Sequence, residues 1–338
     1  MSLKKNKVSH NDLLKRHIKV LKNLQYNTGL FAASCKSVGT GYDKSWLRDN
    51  FYEALAFQVL GDFETIEKTY KSLLEIFLKH EDKIDHAITA KPKYKHEYIH
   101  ARFHPDTFDE FWEDWGNKQN DAVGAILFGV GILEKRYNKS LIENRDYLRI
   151  VNKLVLYLES VKYYEDYDSG MWEEDEEIHA SSVGACVAGL KLIGSFKGVN
   201  IPTDLIEKGE VTLRSLLPRE SKKKSVDLAL LSLIYPYNIV TPKERKEILE
   251  NVEYHLVKKR GVIRYKNDYY YNNNEDGFSE EAEWTFGFAW LAIIYDKLGD
   301  YNQSKLYINK LVSLDTKKGL PELYFSNSKK FNENTPLG

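Results

Sequence analysis

Residues 168 to 190 read DSGMWEEDEEIHASSVGACVAGL, a tryptophan followed by a run of acid and then by small residues at helical spacing. Glu173 and Glu174 have like-charged neighbours in Asp175, Glu176 and Glu177, and an indole at Trp172 that can keep water off one side. Both influences disfavour a charged carboxylate, so one of these acids is expected to hold its proton near neutral pH. The plainer alternative is that acid before a helix complements its macrodipole.

Three further stretches carry chemistry. WLRDN sets Arg48 beside Asp49 at a helix start, a donor fork and an acceptor suited to sugar hydroxyls, or else a cap and a local ion pair. VIRYKNDYYYNN places Arg264 in an aromatic, polar loop, where it is either a ligand contact or an arginine stacked on tyrosine. KKGLPELYFS puts Glu322 after a Gly and a Pro that fix the local backbone. With few acids near it and Lys317 and Lys318 close in sequence, Glu322 is expected to stay ionised.

The elements that must position these residues are almost all helical. Apolar spacing predicts helices over residues 10–26, from Trp46 to Gly61, from Phe63 to His80, from Asn120, over 143–162 and over 203–217. Further helices are expected in SVDLALLSLIYP, KERKEILENVEYHLVKK, EEAEWTFGFAWLAIIYDKLGD and NQSKLYINKLVSL, and no stretch alternates with period two for long. Residues 81–117 read as a long irregular loop, a length that is usually functional.

The helices pair. One member of each pair is small and apolar and follows a polar motif (WLRDN, QND, WEE, VD, EW), while the other is charged and amphipathic. After the first gap the motifs recur about every 55 residues, which marks a repeat architecture. Apolar inner helices ringed by amphipathic outer ones predict an all-α, closed α/α toroid whose loops open on one cleft. A sixth inner helix would begin about one repeat after Trp284, where the sequence ends, so the ring is expected to be left open by one helix, closed by the N-terminal helix, or, the reading favoured here, shortened from a longer chain.

Composition narrows the function. Forty-nine basic residues against fifty acidic ones give a net charge of −1, so neither nucleic acid nor an anionic membrane is an expected partner. No run of about 18 apolar residues is present, and the basic N-terminus has no apolar core of a secretory signal. Cys35 and Cys186, without a CxxC or a histidine cluster, predict a reduced cytoplasmic setting, no metal and no cofactor. Tyr, Phe and Trp make 13% of the chain, many in polar loops, where rings can stack on pyranose faces or simply anchor the loop.

The stretches WLRDN, WGNKQND, GMWEE with HASSVGA, RYKNDYY, EAEW and GLPE occur in one order from about residue 26 onward. This set resembles family 15 of the glycoside hydrolases, the glucoamylase-like enzymes, whose relatives include a domain of the phosphorylase kinase α and β subunits. The resemblance implies a single (α/α)6 catalytic domain over residues 1–338, shortened at its C-terminus, and an inverting exo-acting α-glucosidase. It makes Glu173 the general acid and Glu322 the general base, with Arg48, Asp49, Trp115, Glu174 and Arg264 as sugar contacts. The implied substrate is an α-linked gluco-oligosaccharide or glucan of malto or isomalto type, with trehalose less expected, and the sequence sets no oligomeric state. The HASSVGA and PRESKKKSVDLALLSLIYP stretches look closer to the phosphorylase kinase branch, so the alternative is a non-catalytic glucan-binding or regulatory domain.

Overall fold

The computed structural model describes residues 10–34, 42–113, 115–137, 140–272 and 280–332. Cys35 and the last six residues of FNENTPLG lie outside them. The helices are α1 (His10–Leu24), α2 (Leu47–Leu60), α3 (Phe63–Lys79), α4 (Glu81–Thr89), α5 (Asn120–Tyr137), α6 (Arg145–Val161), α7 (Ala180–Ile193), α8 (Leu205–Leu216), α9 (Leu231–Ile234), α10 (Pro242–His255), α11 (Phe286–Lys297) and α12 (Tyr301–Leu314). No described helix is long and apolar enough to cross a membrane.

Burial divides them as the pattern predicts. All of α7 except Lys191 and Leu192 is buried, and α5 is buried from Asn120 to Leu133 except for Phe128. In contrast α6 buries only one face, Tyr147, Ile150, Val151, Leu154, Val155, Leu158 and Val161 among them, the stripe of an outer helix. Small residues let the inner helices cross closely: a Cβ on Gly124 of α5 would lie 2.5 Å from the Cys186 nitrogen of α7. Packing runs α2 to α5, α5 to α7, α7 to α9 and α9 to α11. Across the ring's seam, Tyr52 of α2 meets Trp290 of α11 edge to face, with ring centroids 5.7 Å apart.

Among the described residues five inner positions are filled, by α2, α5, α7, α9 and α11. Helix α1 takes none of them, since Leu24 is its one buried described side chain. It is fastened instead to the turn after α12, where Arg16 pairs with Asp315 and His17 Nε2 lies 3.1 Å from Asp315 Oδ1.

Two expectations are corrected. The 81–117 segment is not one irregular loop: it opens with α4, which packs on α6, and continues through a short 3-10 turn, Lys95–Glu97. The inner helix expected from VDLALLSLIYP is brief, a 3-10 turn over Leu228–Leu230 running into α9 and ending before the cis Tyr235–Pro236 bond.

Two short antiparallel ladders stand at the rim. Strand β1 (Ser45–Trp46) pairs with β2 (Arg102–Phe103), with Trp46 opposite Arg102. Strand β3 (Glu283–Trp284) pairs with β4 (Leu323–Tyr324), with Trp284 opposite Leu323. The first fixes the chain entering α2 against the 102–115 segment. The second brings Glu322 beside the start of α11, where Thr285 N–H donates to the Glu322 carbonyl at 3.1 Å.

Candidate active site

Helix α2 begins one residue before Arg48, so its first turn points into the mouth of the ring. The Arg48 guanidinium is buried and fully engaged. Its Nε donates to Asp121 Oδ2 at 2.6 Å, and Nη2 donates to Gln119 Oε1 at 2.7 Å, Asp121 Oδ1 at 3.2 Å and the Gly170 carbonyl at 3.2 Å. The remaining Nη1 lies 3.4 Å from Glu173 Oε1. A fork clamped by buried acceptors is rigid, so its Nη1 edge presents a fixed cation to Glu173.

Glu173 sits in a turn closed by the backbone bridge between Asp168 and Glu177. Its φ is +60°, a left-handed conformation uncommon for a residue with a Cβ. The carboxyl receives the Trp115 indole N–H on Oε2 at 2.5 Å and the Trp46 indole N–H on the same oxygen at 3.4 Å. Arg102, whose guanidinium lies 3.9 Å from the centroid of the Trp115 ring, backs that indole and is itself bound to Glu113 at 2.6 Å.

Glu174 serves the opposite wall. Arg264 Nη2 donates to its Oε1 at 2.5 Å, the Tyr265 hydroxyl donates to its Oε2, and Lys224 Nζ is 3.8 Å away. Arg264 is held in turn by Asp268, at 2.7 Å through Nε and 2.8 Å through Nη2, and lies over Trp172, Trp284 and Tyr270. Burial works against its charge, but Asp268 and Glu174 raise its pKa.

Glu322 joins this wall one residue before β4. Its Oε2 accepts from Asn332 Nδ2 at 2.9 Å. Burial pushes its carboxyl up to about 7, opposed by Arg264 and reinforced by Asp49. Asp49 is half-buried and is itself pushed up to about 6, by burial first and then by the charge of Glu173, with Arg48 opposing. Tyr42, hydrogen-bonded to Tyr270 at 3.0 Å between hydroxyls, feels the charge of both Glu322 and Glu173. The two glutamates therefore act on one shared set of cleft residues.

The sequence expectations divide here. Arg48, Asp49, Trp115, Glu173, Glu174, Arg264 and Glu322 all gather at one rim. The surroundings of the acids differ from those the local sequence suggests. The indoles bonded to the Glu173 carboxyl are Trp46 and Trp115, while the Trp172 indole N–H donates to Asp227 Oδ1 at 2.9 Å. The acid run is not at a helix N-terminus, because α7 starts only at Ala180, and Glu176 is drawn off to Lys118 at 3.1 Å. Nor is Glu322 kept ionised by Lys317 and Lys318, which are exposed; burial dominates and moves it the other way. Sequence reasoning also missed Asp121 and Gln119 as the clamp of Arg48, and Trp46 as a donor to Glu173, although QND and WLRDN contain all three.

A glycosidase solved in its wild-type form superposes with a TM-score of 0.79 at 21% identity, covering 93% of this chain and 86% of that one. A bacterial glucoamylase complexed with acarbose gives 0.70 at 15% identity, covering 94% of this chain and 52% of that one. Such likeness shows the fold, the (α/α)6 toroid. Among curated proteins, a probable phosphorylase b kinase regulatory subunit alpha of Caenorhabditis elegans is 27% identical over 83% of this chain and 27% of its own length. The liver isoform of that subunit from Mus musculus is 27% identical over 88% of this chain and 28% of its own. The chain thus spans about a quarter of the length of these relatives. The sequence profile of Glycosyl hydrolases family 15 matches residues 8–196, which include the stretches bearing Arg48, Trp115 and Glu173 and stop short of Arg264 and Glu322. With more than half of its length matched by that profile, the chain belongs to glycosyl hydrolases family 15.

Proposed function

We propose that the chain is an inverting α-glucosidase that releases β-glucose from the non-reducing ends of α-linked gluco-oligosaccharides. The observation that carries this reading is the placement of two carboxyl groups on one cleft by separate walls. Glu173 stands on the Trp46, Trp115 and Arg48 side and Glu322 on the Arg264 and Asn332 side, with Asp49 between their fields. Inversion needs such a pair, about 6.5–9.5 Å apart with room for a water.

In this reading Glu173 gives its proton to the glycosidic oxygen as the bond to C1 breaks. Glu322, ionised, takes a proton from water as that water adds to C1 from the opposite face. The anomer inverts, Glu173 is left as carboxylate and Glu322 as acid, and exchange with solvent restores both. Arg48 and Asp49 hold hydroxyls of the terminal sugar, Glu174 and Arg264 others, and Trp115 orients Glu173. No step calls for a metal or cofactor. Residues 1–338 act as one catalytic domain, and the buried free thiol of Cys186 suits a reducing compartment such as the cytoplasm.

The test is an NMR assay of the purified chain with maltotriose, isomaltose and trehalose. Early β-glucose from one of them supports the reading and names the linkage. A second reading, a glucan-binding or regulatory domain without turnover, is favoured by the regulatory subunits among the curated relatives. Saturable glucan binding with no glucose released would select it.

A further inference from the structure

Beneath the turn that presents Glu173 and Glu174 lies a histidine the cleft chemistry does not use. His179 precedes α7 and is buried to 4% exposure. Its Nδ1 is 3.3 Å from Glu220 Oε1 and its Nε2 is 3.3 Å from the carbonyl oxygen of Asp175. The Asp175 carbonyl only accepts, which puts a proton on Nε2, and the Glu220 carboxyl beside Nδ1 completes an ion pair when the ring carries a second proton there.

Both ends of this bridge are anchored. Glu220 accepts the Ser181 N–H at 3.2 Å and the Ser181 hydroxyl at 2.5 Å, and its carbonyl takes the Ala180 N–H at 2.7 Å. It thereby caps a helix whose first turn has no acid of its own. On the other side the ring packs against Gly170, where a Cβ would come within 2.8 Å of it and where φ is +63°. The Gly170 carbonyl accepts from Arg48 Nη2 at 3.2 Å and from the Glu173 N–H at 3.3 Å. A line of contacts therefore runs from the start of α7 through the imidazole to the backbone of Glu173.

We propose that His179, as an imidazolium held between Glu220 and the Asp175 carbonyl, is the positioning residue that locks the Asp168–Glu177 turn onto α7 and so fixes Glu173 against Trp115 and Arg48. The ionisable groups acting on the ring are Asp168 on the turn and Glu220 and Lys224 on the loop opposite. Burial alone would lower its pKa. Glu220 and Asp168 outweigh burial and Lys224 and raise it to about 9.

The effect on rate rests on the reading of Glu173 as acid, whereas the position of the turn is measured without turnover. The full-length chain, labelled with 15N, is titrated by NMR, with the Trp115 indole N–H assigned from the Trp115→Phe spectrum. The expected result is a doubly protonated His179 ring at neutral pH that loses a proton only near 9. Glu220→Gln should bring that titration toward the ordinary value of 6.5. His179→Gln should move the Trp115 indole resonance and lower kcat about 100-fold while changing KM by only a few-fold. A singly protonated wild-type ring at neutral pH overturns the proposal, as does a folded His179→Gln chain with the indole resonance unmoved. Should His179→Gln not fold, the wild-type and Glu220→Gln titrations decide. Should the wild type release no glucose, the hydrolase reading falls and the indole measurement still decides this one.

Discussion

Arg48 and Asp121 form a two-pronged ion pair inside the ring, with Arg48 Nε 2.6 Å and Nη2 3.2 Å from the two carboxylate oxygens, 73 residues apart in sequence. Breaking a buried pair by removing one partner leaves an uncompensated charge. Asp121→Ala is expected to cost about 3–5 kcal/mol of folding stability, read as a shift of the urea midpoint. A loss below about 1 kcal/mol, the scale of an exposed pair, would show that Asp121 does not hold the fork.

Substituting either proposed acid or base should separate chemistry from folding. Glu173→Gln and Glu322→Gln are each expected to lower turnover by about 10²- to 10⁴-fold, the span of general acid–base catalysis, with the helical circular dichroism spectrum unchanged. A near-normal rate in either variant removes that residue from its role.

The pH profile reports on Glu322. A base whose carboxyl is pushed to about 7 is half ionised there, so kcat/KM should rise with pH through that region. Because Asp49 contributes to raising this value, Asp49→Asn should move the limb to lower pH, whatever it does to KM. The folded value also lies above the ordinary 4.5, so the contribution of Glu322 to stability is full below 4.5 and is lost as pH rises through about 7. A limb that stays in place in Asp49→Asn would end the assignment.

Trp115 offers a single hydrogen bond to a single oxygen. Trp115→Phe keeps the ring under Arg102 and deletes the N–H that Glu173 accepts. A hydrogen bond to a carboxylate contributes about 1.5–3 kcal/mol, so kcat/KM is expected to fall roughly 10- to 150-fold. No change would mean that Trp46 and Arg48 suffice to orient the acid.

The crossing of α5 and α7 should tolerate no side chain. Gly124→Ala would drive a methyl to 2.5 Å from backbone of the neighbouring helix, and overpacking of this kind costs about 1–3 kcal/mol or more. A thermal midpoint equal to that of the wild type would contradict the close approach.

The inner and outer helices were legible because burial writes its own pattern: the Gly and Ala of ASSVGACVAGL permit the crossing, and the apolar stripe of α6 marks a single buried face. The gathering of Arg48, Glu173, Arg264 and Glu322 at one rim was legible because each precedes or borders an inner helix or its loop. What the sequence concealed was pairing between distant stretches. Nothing local to Glu173 indicates that its indoles come from positions 46 and 115 while Trp172, its neighbour, turns to Asp227. For Glu322, the two lysines nearby in sequence are in solvent, and the controlling influence is burial, opposed by the distant Arg264. Charge counted along the chain is a poor guide to charge felt in space.

The fastening of α1 to Asp315 has a temporal consequence. Arg16 and His17 leave the ribosome well before their shared partner, which follows 299 residues after Arg16. At about 5–20 residues per second, the helix waits tens of seconds for its anchor. The ring can be fastened at this point only after that interval, by which time α2 and α11 have both been synthesised. A chaperone that shields apolar surface during that interval would govern the yield of folded protein without touching its final stability.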